Sequence, residues 1–191
     1  GSTLWFAPQE VNAALVSHLP LTLKHHEAPQ PVPGLKARKN ETEQQHIREV
    51  MLKDGVAMVA FLHWLTSQVG QRPISELSAT KQVEQFRRQQ PDYIGPSFNA
   101  ISGYQDHGAI VHYAVTEASD RPLEAEGIYL IDSGGQYLNG TTDITRTVAL
   151  GAPSPQQKRD FTLVLKGHIA LARAVFPEGT HGYQLDVLAR E

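Results

Sequence analysis

Gly127-Ile128-Tyr129-Leu130-Ile131-Asp132-Ser133, then Gly134-Gly135, then Asn139-Gly140 and Thr141-Thr142-Asp143-Ile144-Thr145-Arg146-Thr147-Val148-Ala149-Leu150, is the stretch that decides the fold. Its first segment is a short apolar run bounded by glycines, the pattern of a buried strand. Asn139-Gly140 is the strongest hairpin signal in the chain, because both central positions of a type I′ turn need positive φ. After the turn the residues alternate. Asp143, Thr145, Thr147 and Ala149 fall on one face, and Ile144, Arg146, Val148 and Leu150 on the other. The spacing predicts antiparallel strands, one of them with a polar face.

Working outward, 97–102 and 109–114 also read as strands. Helical spacing governs both flanks. Upstream, Asn40 can cap a long helix with Glu43 at the reciprocal position. Apolar residues recur there at 47, 50, 51, 58, 59, 62, 65 and 69. A second helix is predicted over 77–90, with Val83 and Phe86 inward and Lys81, Arg87 and Arg88 outward. Downstream, Ser154-Pro155 opens a helix whose predicted buried face is Phe161, Val164, Leu165, Ile169, Ala172 and Val175. A last helix opens near 180–183. At the N-terminus, Leu4-Trp5-Phe6 and Leu19, Leu21 and Leu23 are strand-like around a helical segment at 8–16. Pro29, Pro31 and Pro33 predict a linker, since proline at that density disfavours helix and central strand. The sum is an α+β fold with an antiparallel sheet covered by helices.

Composition excludes several classes. The chain has 191 residues, 17 Lys+Arg against 20 Asp+Glu, a formal net charge of -3, and no cysteine. Disulfides, thiolate-bound zinc and thiol nucleophiles are therefore ruled out. The charge gives no drive towards nucleic acid or an anionic membrane surface. No apolar run reaches the ~20 residues of a spanning helix. The expectation is a cytoplasmic protein with neither nucleic acid nor membrane as partner. There is no G-x-G-x-x-G, no G-K-[ST], no His-Glu-x-x-His and no nucleophile elbow around any serine.

Asp132 and Asp143 are the densest chemical signal. They stand eleven residues apart across a hairpin, so they can converge. A carboxylate at the end of a buried strand must be paired, hydrogen-bonded or on a metal. Two facing oxygen donors are the start of a divalent-metal site. Equally, Asp132 could cap the Gly134-Gly135 turn and Asp143 could pair with Arg146, and spacing alone leaves both readings standing. His112 sits in the apolar run Ala109–Ala114, where pattern alone favours a satisfied core histidine over a site residue.

Asp132-Ser133-Gly134, the Thr-Thr-Asp-Ile-Thr-Arg-Thr run at 141–147 and Gly108-Ala109-Ile110-Val111-His112-Tyr113 together closely resemble the metal-dependent Xaa-Pro aminopeptidases. These belong to the creatinase/prolidase, or pita-bread, family, and the likeness is to its longer, three-domain cytosolic type. Residues 84–90 and 164–170 are similar as well. The resemblance implies hydrolysis of the N-terminal Xaa-Pro bond by a water activated on two divalent metal ions, Mn²⁺ first and Zn²⁺ second. It implies Asp132 and Asp143 as metal ligands, Asp143 bridging, and His112 as a catalytic histidine beside the substrate. Peptides with proline at the second position are the implied substrates, and the complete enzyme is implied to be a homodimer. A prolidase-type dipeptidase and a non-catalytic peptide- or protein-binding module of the same architecture are the alternatives.

The family's remaining metal histidine and two glutamates lie in segments that do not occur here. The expectation is therefore that 1–33 is the tail of a preceding domain with its linker, and that 34–191 is the N-terminal half of the catalytic domain, truncated before those ligands. The remaining C-terminal part of that domain becomes an expected partner, and the isolated chain is expected to be inactive.

Overall fold

The computed structural model describes residues 2–190, and the chain divides into two compact units, 1–49 and 50–191. The first contains β1 (Thr3–Phe6), α1 (Ala13–Ser17), β2 (Lys24–Glu27), α2 (Pro31–Ala37) and the start of α3 (Glu41–Gln68). β1 and β2 pair in parallel, from Thr3↔Lys24 to Phe6↔Glu27. The helix expected over 8–16 begins later, because the Asn12 side chain accepts the Ala14 N–H at 2.8 Å and so fixes the start there. The second strand is 24–27 rather than the leucines before it. Its His26 and His25 lie edge-on to Trp5 and Phe6, with ring centroids 5.0 and 5.5 Å apart.

The expectation that the prolines exclude helix is corrected. The second half of that segment opens α2, with Pro31 at its N-terminus. Proline is tolerated there because first-turn N–H groups have no intrahelical acceptor, and its fixed φ already suits the helix. The cap predicted for α3 forms: Glu43 N–H donates to Asn40 Oδ1 at 2.9 Å, and Asn40 N–H to Glu43 Oε2 at 2.8 Å.

The second unit holds the rest of α3, then α4 (Glu76–Arg88), β3 (Tyr93–Pro96), β4 (Ile101–Tyr104), β5 (Ile128–Ser133), β6 (Gly135–Tyr137), β7 (Gly140–Thr141), β8 (Ile144–Ala149), α5 (Pro155–Ala172) and α6 (Gly182–Leu185). Its strands make two antiparallel sheets, in the orders β3-β6-β7 and β4-β5-β8. The fold is α+β, with antiparallel sheets packed by helices. In β5 burial alternates, with Tyr129, Ile131 and Ser133 inward. Tyr129 and Ile131 share a core with Met58, Phe61 and Leu65 of α3 and Ala79 and Val83 of α4. Each large side chain buried there stabilises the unit by about 1.5–3 kcal/mol relative to exposure.

Four sequence expectations are corrected in this unit. The hairpin exists, but Tyr137 pairs with Gly140, so Leu138 and Asn139 are the turn residues. Neither they nor Gly140 has positive φ. Gly140 serves close packing instead: a Cβ there would stand 3.2 Å from Val50 Cγ2. The strand expected over 97–102 is displaced. β3 lies before it and β4 begins at 101, with 97–100 irregular between them.

Residues 109–114 are not a strand. A 3-10 turn at Gln105–Ala109 leads into a loop in which Ile110 and Val111 are exposed. Finally, α5 has its Ser154/Gln157 capping box, but its apolar stripe is open, with Phe161 61% and Val164 74% exposed. Helical periodicity reports an apolar face and not what covers it.

Two buried hydroxyls give the unit a pH dependence. Burial pushes the Tyr129 hydroxyl well above its ordinary value of 10.0. Burial, and then the hydrogen bond to Asp54, push up Tyr137. Groups raised on folding contribute stability that is complete below the unfolded pKa and is lost as pH climbs towards the folded one. The urea midpoint should therefore hold to about pH 10 and fall above it, the ordinary tyrosine range. Equilibrium unfolding on both sides of that pH checks this, and Tyr137→Phe should flatten the alkaline fall.

Candidate metal centre

β5 and β6 are separated only by Gly134, and β7 and β8 only by Thr142 and Asp143. The two sheets therefore meet at a seam. Ser97 N–H donates to the Gly134 carbonyl at 3.1 Å, and Thr142 N–H to that of Gly135 at 2.9 Å. Asp132 lies two residues before Gly134, and Asp143 sits in the seam itself.

Register puts the two carboxylates on one side. Asp132 pairs with Thr145 across β5–β8 and with Ile101 across β4–β5. Since β5 turns Tyr129, Ile131 and Ser133 to the core, Asp132 faces the other way with Leu130. Asp143 immediately precedes β8, in phase with Thr145 and Thr147, and is exposed. The diagonal neighbours of a directly opposed pair lie roughly 7–8 Å apart, within reach of two carboxylates sharing ions.

The pairings that would make these aspartates purely structural do not form among the described residues. Arg146 donates to the Thr145 carbonyl at 2.8 Å and makes no ion pair with Asp143. Asp132 Oδ1 is buried with no hydrogen-bond partner among the described residues. An unpaired buried carboxylate oxygen is costly unless something outside the protein chain satisfies it. Two oxygen donors suit a hard or borderline divalent cation, as part of a coordination sphere. Among the described residues no group of three or more His, Asp or Glu could hold a metal ion, so these two donors fit as a partial set.

His112 stands apart from the two aspartates in the chain and is held differently. It is exposed, with φ +53°, in the loop after the 3-10 turn. The core-histidine reading of an apolar strand therefore fails, because there is no strand and no burial.

Sequence reasoning misses the polar groups beneath the seam. Asp54 and Arg87 are both buried, 0% and 2% exposed. Arg87 Nε and Nη2 donate to the two Asp54 oxygens at 2.7 and 3.1 Å. Tyr137 Oη donates to Asp54 Oδ1 at 2.9 Å. Arg87 Nη2 also donates to the Ser133 carbonyl at 3.3 Å, directly after Asp132. The sequence places Arg87 on the outer face of its helix, so this is a correction. A signal for it exists: Ala79, Val83 and Arg87 fall at intervals of four, as do Val50, Asp54 and Met58. Opposite charges on the apolar stripes of two successive helices are a buried pair in the sequence.

The profile of metallopeptidase family M24 matches residues 45–191. The chain is similar to the "Probable Xaa-Pro aminopeptidase P" of Chaetomium globosum, 44% identical over 163 residues, which are 84% of this chain and 26% of that protein. Its fold resembles the X-prolyl aminopeptidase of Caenorhabditis elegans, described as a cytosolic enzyme with a di-nuclear active site. The TM-score is 0.78 at 39% identity, covering 87% of this chain and 28% of that one. The Xaa-Pro dipeptidase of Bacillus anthracis shares the fold, with TM-score 0.74 at 23% identity, over 99% of this chain and 51% of that one. The chain thus spans about a quarter of the length of the curated relatives it matches.

Proposed function

The chain belongs to metallopeptidase family M24, and from that premise we propose that it supplies the first metal ligands of a Xaa-Pro aminopeptidase. In this reading the whole enzyme hydrolyses the N-terminal bond of peptides whose second residue is proline. The observation that carries it is the buried, unpartnered Oδ1 of Asp132 on the same sheet face as Asp143.

A pair of divalent ions, Mn²⁺ in the first instance and Zn²⁺ in the second, supplies Lewis-acid and water-activating chemistry when bound. Asp132 would hold it from the end of β5, and Asp143 from the seam. Both are oxygen donors carried by or next to β5 and β8, so they need little reorganisation to bind a cation. His112 donates or accepts a hydrogen bond near the scissile bond. Its exposed loop lets a peptide reach it. The remaining metal donors, and the group that takes up the proton from water, belong to the C-terminal remainder of the same domain. In this division 1–33 is the tail of a preceding domain and 34–191 the first half of the catalytic domain. The open apolar stripe of α5 fits such a division. The full enzyme is read as a cytoplasmic homodimer, in line with the cytosolic description of the C. elegans protein.

The test uses the full-length protein, stripped of metal and reloaded with Mn²⁺, on a Xaa-Pro dipeptide and on a longer Xaa-Pro peptide. Metal-dependent release of the first residue from the longer peptide is the expected result. Cleavage of the dipeptide alone would make the protein a prolidase, and cleavage of neither would sink both. The 191-residue chain by itself should cleave nothing, since two carboxylates bind metal weakly.

A further inference from the structure

Glu76 is fully buried in the first turn of α4, and the proposed hydrolysis gives it no task. Its Oε1 accepts the Tyr104 N–H at 2.7 Å. His107 Nδ1 lies 2.9 and 3.0 Å from its two oxygens. On the far side of the same imidazole, Arg121 Nη2 is 3.0 Å from His107 Nε2. A guanidinium can only donate, so Nε2 accepts and the single ring proton sits on Nδ1, facing Glu76. Arg121 is itself fixed: it bonds Asp106, and its carbonyl accepts the Glu76 N–H at 3.0 Å. The Tyr113 ring lies 4.5 Å from the His107 ring, and its hydroxyl reaches Glu76 Oε2 at 3.4 Å and Ser119 Oγ at 3.1 Å.

These bonds anchor the chain at 107 and at 113. Between the two anchors lies His112, a non-glycine residue at φ +53°. Such a backbone persists only where its surroundings hold it. The loop also passes over the Asp132 side of the sheet. Gly103 pairs with Leu130, and a Cβ on Gly103 would stand 2.8 Å from Gly108 Cα. A Cβ on Gly108 would in turn lie 3.5 Å from Leu130 Cβ. Leu130 shares its face with Asp132, two residues on.

We propose that Glu76, His107 and Arg121 form a positioning network that sets the His112 imidazole for substrate. The network acts through His112 and touches no substrate itself. The proposal rests on the reading of His112 given above.

The experiment is done in the full-length, Mn²⁺-loaded protein. His107→Leu removes both hydrogen bonds, while His107→Gln keeps one donor and one acceptor. His107→Leu should lower kcat about 10- to 100-fold, the loss that a misplacement of roughly 1 Å causes, with Mn²⁺ affinity unchanged. His107→Gln should recover most of it. In a His112→Ala background His107→Leu should cost nothing further. The His112 ¹³Cε1 resonance should move in His107→Leu and return in His107→Gln. Should His107→Leu not fold, Arg121→Met carries the same test from a position whose side chain is 35% exposed.

An unmoved His112 resonance, or an equal kcat loss in the His112→Ala background, overturns the proposal. Turnover that survives His112→Ala while the resonance still moves would instead overturn the catalytic reading of His112 and leave the positioning intact.

Discussion

Arg87→Met should destabilise the second unit by about 3–5 kcal/mol, the cost of removing one partner from a buried ion pair. Asp54 is 0% exposed and would keep only the Tyr137 hydroxyl of its three donors. Its carboxylate would then sit without an ion-pair partner in the interior. Methionine fills a similar volume, so the loss is electrostatic rather than a cavity. The control is the double variant Asp54→Leu/Arg87→Met, which removes both charges. It should unfold later in urea than Arg87→Met alone, because the pair's attraction mostly offsets its own desolvation. Equal midpoints for single and double variants would mean that the pair is not buried as described.

The same substitution should reach the proposed metal site. Arg87 holds the Ser133 carbonyl from below, and Asp132 precedes it in the strand. Tyr137 and Asp54 tie the next strand to the same point. The seam is thus held by a charge pair on two helices as well as by its own backbone bonds, Ser97 to Gly134 and Thr142 to Gly135.

Which parts of this are legible follows from what sequence patterns encode. Period-two alternation predicts that Ile144 and Thr145 face opposite ways, and the structure has the first buried and the second exposed. The caps of α3 and α5 are readable because they are local, made by groups three residues apart. The loop at 105–113 is not. Ile110-Val111 looks like strand by composition, but the loop that carries it is tied at His107 to Glu76, 31 residues away in the chain. Long-range hydrogen bonds leave no periodic trace. The exposed stripe of α5 fails for the converse reason: the period is real and the partner is not encoded in it. Asp54, Glu76 and Arg87 sit between the two cases. Asp54 and Arg87 interrupt apolar stripes at helical spacing, and Glu76 stands one turn ahead of Ala79, so position alone aims all three at the interior. What position leaves open is the partner that each buried charge requires.

If Asp132 and Asp143 hold the metal as proposed, Asp143→Asn and Asp132→Asn, made separately in the full-length protein, should each abolish most of the proposed Xaa-Pro cleavage. Partners one shell out from metal ligands already cost about 10–100-fold when removed, so a ligand itself should cost more than about 100-fold. An amide keeps shape and one acceptor oxygen but loses the charge that offsets a divalent cation. The two variants should differ in stability, and that difference is the sharper check. Asp132 carries a buried oxygen with no protein partner; Asp143 is exposed. Without metal, Asp132→Asn removes the negative charge from a half-buried carboxylate with an unpartnered oxygen, so it should raise the urea midpoint of the metal-free protein, while Asp143→Asn should leave it unchanged. With Mn²⁺ the order reverses, since the wild type gains binding free energy that both variants lack. Equal midpoints with and without metal for the wild type would remove both aspartates from the metal site, whatever the peptidase assay shows.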